Sequence, residues 1–128
     1  MTAVTLQIPG RPEYVRVARL AISATASCAG FAVDQIDEIK QSVGEACSNA
    51  VQAVQRAGEG QVTLRCDLQD EQIVIEVFPV GGLNPAGSTE DARTSFQYFL
   101  IKTLMDEVEI TTDGNGLETI KMTRSLTR

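Results

Sequence analysis

Apolar residues recur along this chain with two periods, and the switch between them marks its elements. Residues Ala3 to Ile8 alternate, with Val4, Leu6 and Ile8 apolar, the period-2 pattern of a half-buried strand that Pro9 and Gly10 end. Pro12 suits the first turn of a helix. From Glu13 the apolar positions Tyr14, Val17, Ala18, Ala21, Ala24 and Cys28 follow at threes and fours, up to a capping Gly30. Asp34 is the expected N-cap of a longer helix, in which Ile36, Ile39, Val43, Ala46, Cys47, Ala50, Val51 and Val54 form one stripe.

After the break at Gly58 and Gly60, Val62, Leu64, Cys66 and Leu68 alternate as a strand. The near-continuous apolar run Ile73 to Val80 reads as its more fully buried hairpin partner across Asp70 and Glu71. Gly81 to Thr94 reads as a loop of about 14 residues, long enough to carry function. Phe96, Phe99, Leu100, Thr103 and Leu104 give a third helix. Val108 to Thr112 and Glu118 to Arg124 then pair around Asp113 and Gly116. The helices are predicted over Pro12 to Ala29, Asp34 to Ala57 and Ser95 to Leu104. This order most simply forms an α/β (α+β) two-layer sandwich, a mixed and mainly antiparallel sheet with the helices on one face. The 128 residues, 43% hydrophobic, suffice for one domain over positions 1–128.

Charge narrows the partners. A formal net charge of −6 without any basic run opposes direct binding to nucleic acid or an anionic membrane, so a protein partner is expected. The N-terminus lacks a basic start followed by an apolar core, and no stretch approaches the roughly 20 apolar residues of a membrane span. Cys28, Cys47 and Cys66 match no close-pair metal spacing, and their odd number suggests free thiols in a reducing cytoplasm. Their expected role is core packing. Cys47 as a nucleophile is the weaker alternative, because no histidine or basic neighbour in sequence lowers its pKa. Histidine is absent, which leaves carboxylates, Lys, Tyr or thiols for any catalysis.

On the long helix, Glu45 and Asn49 are spaced i, i+4 and therefore share a face. A carboxamide oxygen that ligates Mg²⁺ beside a carboxylate that accepts a hydroxyl proton is the donor set of phosphoryl transfer. The competing reading is a solvated Glu and a hydrogen-bonded structural Asn.

The segments Ile8 to Val15, Val43 to Gln52 and Thr103 to Val108 resemble the anti-sigma-factor serine kinases of the RsbW type, in the superfamily of histidine kinases and gyrase. The similarity runs in order from about Leu6 to Leu126. The resemblance implies the histidine-kinase-like ATPase (GHKL) fold, with Glu45 as general base and Asn49 as Mg²⁺ and nucleotide ligand. It also implies a homodimer formed with the first strand and first helix. In that family an Asp-x-Gly-x-Gly motif after the buried strand reads adenine. Here Pro79 stands at the Asp position, Gly81 at the first Gly and Leu83 at the second, with Gly82 one place early. A later Gly-x-Gly beside the phosphates corresponds to Ser95 and Gln97, and the preceding loop is shorter than the family's nucleotide lid. Thr119 matches a Thr that helps hold adenine.

Each of the two losses removes on the order of 1–3 kcal/mol, which together weaken a micromolar site by a few powers of ten. The resemblance therefore implies a regulator that binds a sigma factor, a STAS anti-anti-sigma protein, or both, with a degraded ATP site and no cofactor. The alternative is an active Mg·ATP-dependent serine kinase acting on a STAS partner. Asp106, Glu107 and Glu109 read either as a sigma-facing patch or as a solvated run, and Tyr14 and Arg16 either as core edge or as partner face.

Overall fold

A computed structural model describes residues 2–81, 96–114 and 117–126. Strand β1 (Thr2–Pro9) leads through a 3₁₀ turn (Pro12–Tyr14) into α1 (Val15–Cys28) and α2 (Val33–Ala57). A hairpin of β2 (Gln61–Gln69) and β3 (Gln72–Val80) follows, then α3 (Phe96–Leu104), β4 (Glu107–Thr112) and β5 (Glu118–Ser125). The strands form one sheet in the order β1-β2-β3-β5-β4, and every neighbouring pair among the described residues is antiparallel, so the expected mixture of directions is absent there.

Local chemistry explains the boundaries. The first helix divides because Pro12 opens a tight turn and regular α-hydrogen bonding starts only at Val15. It ends in a Schellman motif. Gly30, at φ +94°, donates its N–H to the Ser27 carbonyl at 3.1 Å, and Phe31 N donates to Ala26 O at 3.2 Å, with the Phe31 ring buried. Asp34 is not the N-cap of α2. Ala32 holds that position, and since alanine has no oxygen to offer, only the return half of a capping box forms, with Ala32 N donating to Gln35 Oε1 at 3.1 Å. Asp34 instead places its charge in the first turn, where the helix dipole favours it. The β2–β3 turn runs through Asp70 at φ +50° and Glu71 at φ +61°, the left-handed pair of a two-residue hairpin.

The core lies between the sheet and the helix layer. Val43 and Ala46 are fully buried and Ala50 is 4% exposed, against Leu64, Cys66, Ile75, Val77, Ile120 and Met122. Strand β3 is not buried on both faces as its composition suggests. Ile73, Ile75, Val77 and Pro79 point inward, while Val74, Glu76 and Phe78 are half-buried on a face that no helix among the described residues covers. On that outer face the register sets Arg65, Glu76, Lys121 and Glu109 side by side across four strands, signs alternating, as cross-strand neighbours favour. Cys47 and Cys66 are core residues, but Cys28 is exposed, a correction to the expectation for all three. Among the described residues no helix is long and apolar enough to cross a membrane.

Candidate functional site

Helix α2 carries the candidate pair. Its buried stripe occupies one side, and Glu38, Ser42, Glu45 and Asn49 succeed one another along a flank, at the i, i+4, i+7, i+11 spacing of a helical edge. Ser42 is fully buried and donates its hydroxyl to the Glu38 carbonyl at 3.0 Å, whereas Glu45 and Asn49 are half-buried.

Arg124 shows what this flank faces. From β5 its guanidinium donates to Glu38 Oε1 at 3.0 Å and to the carbonyl of Leu104, the last residue of α3, at 2.5 Å. The C-terminal end of α3 is thereby pinned beside the first half of α2. Sequence reading missed this lock, because a lone Arg in a strand and a Glu in a helix 86 positions earlier carry no pattern that joins them.

Neither Glu45 nor Asn49 makes a hydrogen bond or ion pair among the described residues. The structural reading, a hydrogen-bonded Asn49, thus has no partner to name among the described residues. The Asn49 carboxamide oxygen and the Glu45 carboxylate, one turn apart, are a donor set that suits one Mg²⁺ and a proton acceptor. No group of three or more Cys, Asp or Glu converges on a metal position among the described residues.

The adenine end fits less well. Pro79 is buried and paired with Val62 of β2, while the ladder to β5 stops at Val77 and Ile120. Strand β3 is thus paired on one side only at this point, a setting that accepts a residue without an N–H. The side chain supplies no acceptor to the pocket side. Gly81 follows at φ +88°, a left-handed conformation that accounts for the glycine by backbone geometry alone. Thr119 alternates with the buried Ile120 in β5 and so shares the outer face with Lys121 and Thr123, away from α2. The structure does not bring it to Glu45 and Asn49. Gln97, at the position that the resemblance aligns with a family glycine, is half-buried in the first turn of α3. Gly82, Leu83 and Ser95 lie outside the described residues.

The remaining candidates separate by environment. Burial pushes the Cys47 thiol up to about 12, against a smaller opposing pull from Arg19, and burial with the Asp67 charge does the same to Cys66, also to about 12. A thiol held neutral is no nucleophile. Asp106 Oδ2 accepts from Ser125 N at 2.7 Å and is a structural acceptor, while Glu107 and Glu109 are exposed. Tyr14 and Arg16 are exposed at the entry to α1.

Comparison with known proteins agrees with the fold. Residues 8–124 match the family model described as a histidine kinase-like ATPase domain. The chain is 34% identical over 142 residues to a serine-protein kinase RsbW of Bacillus pumilus, covering 98% of this chain and 86% of that protein. A serine-protein kinase RsbW of Listeria innocua is 33% identical over 122 residues, 84% of this chain and 78% of the relative. A crystal structure of RsbU and RsbW domains from Mycobacterium tuberculosis superposes with a TM-score of 0.76 at 19% identity, over 100% of this chain and 33% of that one, and supports the fold alone.

Proposed function

Because this chain belongs to the histidine kinase-like ATPase family, among proteins of the RsbW type, we propose that it is an anti-sigma-type regulator whose nucleotide site is impaired. In this reading it binds a sigma factor, a STAS-domain anti-anti-sigma protein, or both, in the cytoplasm and without needing ATP. The observation that carries the reading is Pro79: a buried ring sits where the family places the carboxylate that reads adenine. Gln97 supports it from the phosphate side.

A homodimer accompanies this reading. Strand β1 is an edge of the sheet with eight residues, none of them charged, and Val4, Tyr14, Val17 and Leu20 nearby in β1 and at the start of α1 are exposed, Leu20 at 62%. An uncharged edge of this length is a template for pairing. Sedimentation equilibrium at micromolar concentration is expected to give twice the chain mass.

The second reading, a working serine kinase with Glu45 as proton acceptor and Asn49 on Mg²⁺, is supported by the place of both half-buried side chains one turn apart on the flank of α2. One titration separates the two. Calorimetry with Mg·ATP is expected to show no saturation below about 1 mM, a free energy weaker than about −4 kcal/mol. Micromolar binding, or phosphate transfer to a STAS serine that Glu45→Ala abolishes, would establish the kinase instead. The regulator reading itself fails if the purified chain, without nucleotide, forms no complex tighter than about 10 µM with any sigma factor or STAS protein of its cell.

A further inference from the structure

The C-terminal end of α3 is held by consecutive residues of β5. Asp106 N donates to the Thr123 carbonyl at 2.9 Å, Ser125 N donates to Asp106 Oδ2 at 2.7 Å, and between them the Arg124 guanidinium donates to the Leu104 carbonyl. Arg124 also reaches Glu38 Oε1 at 3.0 Å, which ties the same point to α2. Met105, buried, donates its N–H to Ile101 O at 2.9 Å, so the helix runs into this joint without a break.

The rest of α3 is held by less. Ile101 is its one buried residue, and Phe96 and Phe99, stacked with ring centroids 6.4 Å apart, are 72% and 63% exposed. Lys102 lies over the half-buried Tyr98 ring, a contact within the helix itself. Nine residues are too few for a helix to persist on its own hydrogen bonds, so α3 depends on its seam with α2 and on the joint at its end. Elements with few buried apolar side chains are the ones that open locally.

We infer that α3 is a lever, hinged at Met105 and Asp106 and latched to α2 by Arg124, that opens as a unit while the sheet and the other helices stay folded. Arg124 is a positioning residue in this device. Its guanidinium presents donors in a fixed fork, and so relates two acceptors on different helices, the Leu104 carbonyl and the Glu38 carboxylate. Peptide carbonyls point along a helix axis. Tilting α3 therefore turns the Leu104 oxygen away from a guanidinium that Glu38 keeps in place, and a misaligned hydrogen bond weakens steeply. The moving end carries Gln97, in the first turn of α3, so the lever alters the phosphate side of the candidate site under either reading of its function. A nucleotide or protein that binds one position of α3 better shifts the lever by that difference in affinity.

Hydrogen exchange on the full-length chain tests the lever, under conditions where rates report opening equilibria. In wild type the amides of Ile101 to Met105 are expected to exchange about tenfold or more faster than those of Ile73 to Val77 in the central strand. Opening of α3 and global unfolding both break the clasp. Arg124→Ala is therefore expected to speed exchange in α3 and in Ile73 to Val77 by the same factor, about tenfold or more, and to leave Val4 to Ile8 in the far edge strand unchanged. Arg124→Lys, with one nitrogen in place of the fork, is expected to restore part of the protection, and Glu38→Gln, which keeps an acceptor oxygen, to retain most of it. Circular dichroism establishes that each variant folds; should Arg124→Ala not fold, Arg124→Lys carries the same comparison. Wild-type α3 amides that exchange no faster than Ile73 to Val77 overturn the lever. Amides of α3 that keep their rates in the Arg124 variant while the central strand speeds up overturn the latch. Failure of the chain to bind any sigma factor or STAS protein overturns the regulator reading and leaves both of these comparisons as they stand.

Discussion

At the scale of single residues, Pro79 fills core volume at the end of β3 and, in the impaired-site reading, also withholds a side-chain acceptor from the pocket. In the same reading Gln97 acts independently, by bulk rather than by a missing group. Repair therefore requires both ends. Pro79→Asp alone is expected to leave Mg·ATP binding undetectable, while Pro79→Asp with Ser95→Gly and Gln97→Gly gains affinity by about tenfold or more, read by equilibrium titration. The buried thiols make a separate prediction. Both are raised from 9.0 to about 12, so below pH 9 the folded and unfolded chains hold these protons alike. Above pH 9 the unfolded chain releases them first, and stability falls progressively as the pH approaches 12. Denaturation midpoints between pH 8 and 11 are expected to decline less steeply in Cys47→Ala with Cys66→Ala. A thiol reagent at pH 8 is expected to modify the exposed Cys28 alone in the native protein.

At the scale of elements, Arg124 joins α2, α3 and β5 through two charge-assisted hydrogen bonds, with its side chain 14% exposed and that of Glu38 38% exposed. Arg124→Ala is expected to cost about 1–3 kcal/mol in urea unfolding, less than a fully buried pair because solvent screens Glu38. A Glu38→Gln cycle measures how much belongs to the pair. The same lock marks where sequence reading stops. Every described helix and strand was legible, because period 3.6 and period 2 are written in residues that stay close along the chain, and so was the proximity of Glu45 to Asn49. Thr119 was misplaced because a motif gives a position along a strand but not which face it presents; the burial of Ile120 and Met122 decides that. Asp34 was misjudged as a cap because Gln35 reaches back to Ala32, a choice between adjacent polar residues that only packing resolves. The separation of Cys28 from the other thiols has the same origin, since a terminal helical turn buries one side less than a central one.

At the scale of the whole molecule, the register of β1 has a temporal consequence. Its partners run from Gln61 to Leu68, so β1, once synthesised, waits for a complement about 60 residues behind it. At 5–20 residues per second that delay is roughly 3–12 s, during which α1 and α2 can associate through local contacts while β1 has no strand to join. Held on one side only in the finished monomer, β1 is also the strand expected to open first. Hydrogen exchange on the isolated chain, at concentrations low enough to prevent self-association, should find the amides of Val4 to Ile8 less protected than those of Ile73 to Val77. Newly made chains thus carry an uncharged, unpaired strand for seconds at a time, and the maturation of this protein is most exposed to chaperones, proteases and misassociation at β1.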